Sequence, residues 1–235
     1  VKQLQKFKEL LLAKKISVVT GNEEFVCTNG KKKYILPLTI FNHSLIAHSP
    51  EKFAALIQSK LGLNKTVFAR NCVVSKLDKT TVEEFLEEYH LMNSTQSAFN
   101  YGLYCKNELL AVASFSKGRK MNRLPEDKRS FELIRFCCKN GITITGGLTK
   151  LVKNFCKEKQ AGDIMTYIDK QFSSGESFIK AGFVLHGETS PNYFLINKKS
   201  LEKIPVKNDE EKFDREKFVI TKNEGNLKLV YTPVE

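Results

Sequence analysis

The sequence predicts an α/β fold in its α+β form, a mixed sheet flanked by helices. Two observations carry that expectation. Segments rich in β-branched and aromatic residues, such as ELLAVASF (108–115), SFELIRFCCK (130–139) and DIMTYIDK (163–170), have the length and composition of strands. Between them, apolar residues recur on the helical period, at Val82, Phe85, Leu86 and Tyr89 and again at Leu148, Leu151, Val152, Phe155 and Cys156. A chain of 235 residues, 41% hydrophobic and 27% charged, can bury a full core.

Residues 1–66 read as a small basic α/β attachment. A helix from Leu4 to Lys14 leads into short strands at Ile16–Val19 and Glu24–Cys27, an NGKK turn and the strand KYILPLTIF (33–41). A second helix runs from Ser49 to Leu61. Ser49 is placed to cap it, Pro50 suits its first turn, Phe53, Leu56 and Ile57 follow its period, and Gly62 ends it.

Residues 67–197 read as one α/β domain. Phe68–Lys76 is a strand and Thr80–Tyr89 a helix with Thr80 or Thr81 as cap. Gly102–Phe115 is a hairpin turning at Lys106-Asn107-Glu108, Ser130–Lys139 a strand, and Gly146-Gly147 a turn that opens a helix before the strand Asp163–Lys170. In FSSGESFIKAGFVLHGETSPNYFLIN (172–197), Ser173 and Glu176 have capping-box spacing and Gly182 is placed to stop a short helix. Two strands follow, joined by a tight turn at Thr189–Asn192. Residues 198–235 form an extension in which FVITKNEGNLKLVYT (218–232) reads as a β-hairpin around Asn223–Asn226, with an exposed edge that suits a homodimer.

Several classes are set aside by composition. No apolar run approaches the length of a membrane span, and QLQKFKELLLAKK is broken by lysines on a helical period, so neither a membrane anchor nor a signal peptide is expected and the chain reads as cytoplasmic. The six cysteines lack CxxC spacing and neighbouring histidines, which argues for buried reduced thiols and against a metal site. Cys137 and Cys138, adjacent in a strand, should face opposite sides of its sheet. The same alternation puts Glu132 and Arg135 on opposite faces. No acidic pair with a lysine suggests a nuclease.

Charge points toward polyanions. Residues 1–66 carry 11 Lys and Arg against 4 Asp and Glu, a share of +7 in a net charge of +12. A second cluster, KGRKMNRLPEDKR, contributes Lys117, Arg119, Lys120, Arg123, Lys128 and Arg129 as candidate nucleic-acid contacts. A solvated basic face is the plainer account of the same residues. The loop TGGLTK (Thr145, Gly146, Gly147, Leu148, Thr149, Lys150) lets the backbone approach a ligand and aims the unpaired amides of a helix start at it, so an anion is the natural guest. It is neither a Walker A loop nor a dinucleotide fingerprint. A strand-to-helix turn that needs glycine only for packing is the alternative.

The order of elements, with TGGLTK, YIDK (167–170) and SSGESFIKAGF (173–183), resembles the GNAT acyltransferase fold over roughly residues 70–197. The resemblance implies acetyl-CoA or another acyl-CoA as cofactor, its pyrophosphate on Thr145–Lys150, in a V-shaped cleft. EEYHL (87–91), ELIRFC (132–137), the Gly-Gly turn, TYID and GFxxxGETxPNY (182–193) further resemble Mom-type DNA-modification proteins of phage and related domains of phage homing-endonuclease-like proteins, which implies base modification in DNA. The chain departs from common GNAT enzymes at Phe178, where a tyrosine would protonate the departing thiolate. Tyr193 is the substitute acid, and Asp169 and His90 are the candidate bases. Helix or turn capping is the structural alternative for both bases. Two functions follow as expectations: an acyl-CoA-dependent N-acyltransferase acting on or near nucleic acid, or a non-catalytic GNAT-shaped nucleic-acid-binding protein.

Overall fold

The protein was analysed as a computed structural model that describes residues 2–21, 24–208 and 212–233. In chain order, α1 (Lys2–Ala13), β1 (Ser17–Thr20), β2 (Glu24–Thr28), β3 (Lys33–Pro37), α2 (Ile40–His48) and α3 (Pro50–Lys60) come first. Then follow β4 (Lys65–Phe68), a 3-10 turn (Ala69–Asn71), β5 (Val73–Lys76), α4 (Lys79–Tyr89), β6 (Phe99–Cys105), β7 (Glu108–Phe115), β8 (Ser130–Cys138) and β9 (Ile142–Thr145). The remainder is α5 (Gly147–Lys159), β10 (Asp163–Asp169), α6 (Glu176–Lys180), β11 (Val184–Glu188), β12 (Tyr193–Asn197), β13 (Lys203–Val206), β14 (Phe218–Lys222) and β15 (Asn226–Tyr231). Among the described residues no helix is long and apolar enough to cross a membrane.

The chain forms two compact units, residues 1–64 with 191–224 and residues 65–190 with 225–235. In the first, Phe7 and Leu11 of α1 fall one helical turn apart and are fully buried with Phe25, Phe53 and Ile57. The Phe7 ring lies 5.8 Å from that of Phe53 and 6.4 Å from that of Phe25. β1–β2–β3 form one antiparallel sheet and β13–β12–β14 another. Phe41 of α2 meets Phe194 of β12 at 5.3 Å, and Ser44 Oγ donates to Leu201 O at 2.7 Å.

The second unit is a central mixed sheet in the order β11-β15-β10-β8-β7-β6-β5, flanked by helices, as the sequence led us to expect. All neighbours are antiparallel except β8 and β10. On one face α5 buries Leu148, Leu151, Val152 and Phe155 against the strands, with the Phe155 ring stacked 3.9 Å from that of Phe115. On the other, α4 presents Val82, Phe85 and Leu86 to Val112 and Cys137. Cys138 joins the α5 side, so the adjacent cysteines do face apart, and none of the six cysteines is in a disulfide. Burial pushes the thiols of Cys27 and Cys138 up to about 11 and that of Cys156 to about 12, which keeps them protonated at neutral pH.

Several sequence-based expectations need correction. The segment KYILPLTIF does not stay extended: the ladder ends at Pro37, and Thr39 Oγ1 accepts the Asn42 amide at 3.2 Å and starts α2. The cap of α4 is Asp78, whose Oδ1 accepts the Thr81 amide at 2.9 Å. At α6, Ser173 Oγ accepts the Gly175 amide and Glu176 pairs with Lys180, so no capping box forms. Neither C-terminal hairpin exists. β11 and β15 pair with each other, while β12 and β14 pair in the first unit, where Asn223 Oδ1 takes the Asn192 amide at 2.8 Å. β15 consequently lies inside its sheet between β10 and β11, whereas β14 stands at the edge of the sheet β13-β12-β14.

Candidate functional site

The parallel pair β8/β10, joined by the α5 crossover, places a crevice at the carboxyl ends of its strands, where open α/β sheets bind ligands. Its geometry comes from a ladder that stops early. Three pairs are in register, ending at Glu132/Met165, after which β8 runs on to Cys138 along β7 and β10 to Asp169 along β15 without pairing with each other. Thr166, 4% exposed, makes the last link through its Oγ1, which donates to Leu133 O at 2.9 Å. Beyond it the facing edges of the two strands are no longer hydrogen-bonded to each other, and the space between them is the candidate groove.

A β-bulge arranges the β8 wall. Ser114 pairs with Arg135 and Phe115 with Leu133, leaving Ile134 as the extra residue. Phe131 and Leu133 before the bulge and Phe136 and Cys138 after it all face the α5 core. Glu132 and Arg135 therefore share the opposite face, contrary to the alternation expected from their spacing. Burial pulls the Arg135 guanidinium below its ordinary value, and the Glu132 carboxylate beside it acts in the other direction. Arg135 Nε donates to Asn93 O at 3.3 Å and Nη1 to Ile134 O at 3.0 Å. Directly opposite it in the ladder, Ser114 is fully buried, and its Oγ has no partner among the described residues. On the β10 wall Tyr167 is 42% exposed. Glu132, Arg135 and Tyr167 are polar side chains on this face beside the end of the ladder, with Ser114 buried against β8, and of these Glu132 and Arg135 stood out in the sequence. Strand alternation alone conceals that Glu132 and Arg135 share a face, because the bulge depends on the partner strand.

At the head of α5 stands the loop expected to cradle a pyrophosphate. Gly146 adopts φ 77° and caps the helix without a side chain, so the first-turn amides are not satisfied by a capping group. Thr143, Thr145 and Gly146 are exposed, and Thr149 is partly so. Gly147 has a packing reason to be glycine: a Cβ there would stand 3.0 Å from the Ile144 Cβ and 3.2 Å from Leu103. Leu148 is core, and Lys150 Nζ donates to Ala69 O at 2.9 Å and Cys72 O at 2.5 Å. The loop can hold an anion through backbone amides near Thr145, Gly146 and Thr149. Its lysine is committed to the protein.

The remaining expected residues lie as follows. His90 is the C-cap of α4, with Nδ1 accepting the Met92 amide at 3.1 Å. Asp169 Oδ1 accepts the Gln171 amide at 2.9 Å, and its carbonyl accepts from Phe172 and Ser173. Tyr193 sits in β12 of the first unit, its ring 6.0 Å from Lys222 Nζ. Phe178 packs edge-on to Phe183 at 5.6 Å. In the basic loop, Arg123 is bound to Asp163 Oδ2 at 2.6 Å and to Ser130 Oγ at 3.3 Å, while Arg129 Nη1 donates to Glu126 O and Lys128 O. Lys117, Arg119 and Lys120 remain exposed. Lys128 lines a cavity of about 440 Å³ with Lys153, Lys157 and Gln160 of the α5 end.

No protein-family model matches this chain, and no curated protein matches it. Solved structures with a similar backbone trace include an acetyltransferase of Bacillus subtilis in complex with CoA, at 15% identity and TM-score 0.39, covering 69% of this chain and 99% of that one. A GNAT family acetyltransferase of Elizabethkingia anophelis with acetyl-CoA bound gives 13% identity, TM-score 0.39 and the same coverage. The ribosomal-protein-S18-alanine N-acetyltransferase of Escherichia coli gives 10% identity and TM-score 0.39, covering 68% of this chain and 93% of that one. Likeness at this level says nothing of activity.

Proposed function

We propose that the second unit is a GNAT-type acyl-CoA-dependent N-acyltransferase. The observation that carries this reading is the β8/β10 ladder that stops after three pairs and opens toward an α5 start capped only by Gly146. The element order implied by the GNAT resemblance, down to the short helix before Gly182-Phe183, is present in this unit. Amides of the first α5 turn suit a pyrophosphate, and the edge of β8 that no longer pairs with β10 suits an extended arm. The bound cofactor would supply an activated thioester carbonyl. Glu132, beside the end of the β8/β10 ladder, takes the proton of the acceptor amine on its carboxylate, with the charge of Arg135 on the same face of β8. Tyr167 donates its phenolic proton to the leaving thiolate, the role Phe178 cannot fill. An assay of amine acylation with acetyl-CoA tests the assignment: Glu132→Gln should lower kcat by ~10²-fold or more with the melting temperature unchanged. Unaltered turnover would remove Glu132 from the role.

Nucleic acid is the acceptor surface, or in the alternative reading the sole ligand, that the charge distribution supports. Exposed Lys117, Arg119 and Lys120, together with the cavity of Lys128, Lys153 and Lys157, form the cationic surface of this unit. Oligonucleotide affinity should fall steeply with salt, and replacing the three exposed loop cations by Ala should flatten the slope by about 3. Salt-independent binding would argue against it.

A further inference from the structure

The structure assigns Cys72 and Cys105 as a covalent modification site, a pair poised to close a cross-strand disulfide by exchange with a low-molecular-weight disulfide. The assignment follows from the β5/β6 register and does not depend on the acyl-CoA reading. Val73 lies opposite Tyr104 and Lys76 opposite Tyr101, which puts Cys72 opposite Cys105. The Leu77 amide bonds Asn100 O at 3.0 Å, so Leu77/Asn100, Ser75/Gly102 and Val73/Tyr104 are the hydrogen-bonded positions of this antiparallel pair. Cys72/Cys105 then falls at a non-hydrogen-bonded position, consistent with the Cys72 amide turning back to Ala69 O. Cα atoms at such positions stand about 4.5 Å apart, inside the window of about 4.4–6.8 Å that a disulfide requires. The Cys72 S–H donates to Phe68 O at 3.7 Å, and burial, with the neighbouring Cys105 thiol, holds the Cys72 thiol above its ordinary value.

Access and chemistry are divided between the two thiols. Cys105 is partly exposed and Cys72 is 2% exposed. The Cys105 thiolate attacks the external disulfide, forming a mixed disulfide and releasing one thiolate. The Cys72 thiolate then attacks the Cys105 sulfur and releases the second. Two protein thiols lose two electrons in total, and the reagent is reduced to two thiols.

The bond would act on the head of α5. The Cys72 carbonyl accepts from Lys150 Nζ, and Ala69, whose carbonyl is the other acceptor, has its Cβ 3.7 Å from where a Cβ on Gly146 would stand. Tying Cys72 to β6 restrains this segment, and through it the first turn of α5.

The experiment treats the reduced full chain with oxidised glutathione. Thiols titrated in denaturant should fall by two from the six of the reduced chain. Peptide mapping should find Cys72 joined to Cys105, and amide exchange at 69–73 and 147–150 should slow at least tenfold. Cys138→Ser should leave the bridge intact, and Cys105→Ser should abolish it. A lasting glutathione adduct on Cys105, a Cys72–Cys138 bridge, or an unchanged count of six would each overturn the proposal, and unchanged exchange at 147–150 would overturn the link to α5.

Discussion

Gly182 shows what one residue decides. Its φ of +100° turns the chain from α6 into β11, and a Cβ there would lie 3.1 Å from the Tyr231 ring, which itself packs on Phe183 at 5.5 Å. Gly182→Ala should therefore cost about 1–2 kcal/mol from backbone strain alone, read as a fall of a few degrees in melting temperature. A variant as stable as the parent would contradict the assigned turn. This glycine was legible in the sequence because a helix stop has a local signature. The face of Arg135 was not, since it depends on the bulge at Ile134, which only the pairing of β8 with β7 creates. The Gly146-Gly147 pair falls between: φ explains the first and Ile144 packing the second, so two glycines in one motif answer to different constraints.

At the scale of elements, α4 offers a pH test. Thr81 donates to Asp78 from its amide at 2.9 Å and from its hydroxyl at 2.7 Å, and these bonds hold the Asp78 carboxyl below its ordinary value of 3.8. The folded value being the lower one, this cap stabilises the protein above the ordinary value and its contribution is lost as pH falls through the folded one. Asp78→Asn keeps a capping acceptor without the titration. The difference in melting temperature between parent and variant should be present at neutral pH and close as pH falls below the ordinary carboxylate value. A gap that persists to the acid end would mean the carboxylate is not the cap. The helix itself was plain from Val82, Phe85 and Leu86, whereas α2 escaped because IFNHSLIAH is apolar on most sides and lacks a helical stripe. The tail misled for another reason. Asn-Glu-Gly-Asn has hairpin chemistry, yet Asn223 bonds to Asn192 and the Lys170 amide bonds Gly225 O, so the two flanking strands enter different units.

For the whole molecule, residues 191–224 interrupt the second unit between β11 and β15 and complete the first. Such an excursion leaves no mark in composition or periodicity. Its ends are close: the Thr189 amide bonds Asn226 O at 2.8 Å, and the Asn226 amide bonds Thr189 Oγ1 at 3.1 Å. Replacing 191–224 by a tight turn after residue 65 onward should leave a soluble, cooperatively melting second unit, and an unfolded product would show that this unit does not stand alone. The groove between β8 and β10 belongs to that unit, and its claim to an acyl-CoA rests on the head of α5. The measurement that tests this most directly is a calorimetric titration of the full chain with acetyl-CoA beside Thr145→Glu, which sets a negative charge at an exposed position just before the Gly146 cap. The account predicts micromolar binding by the parent, weakened at least tenfold in the variant at an unchanged melting temperature. No heat at millimolar ligand, or equal affinity in both, would contradict it.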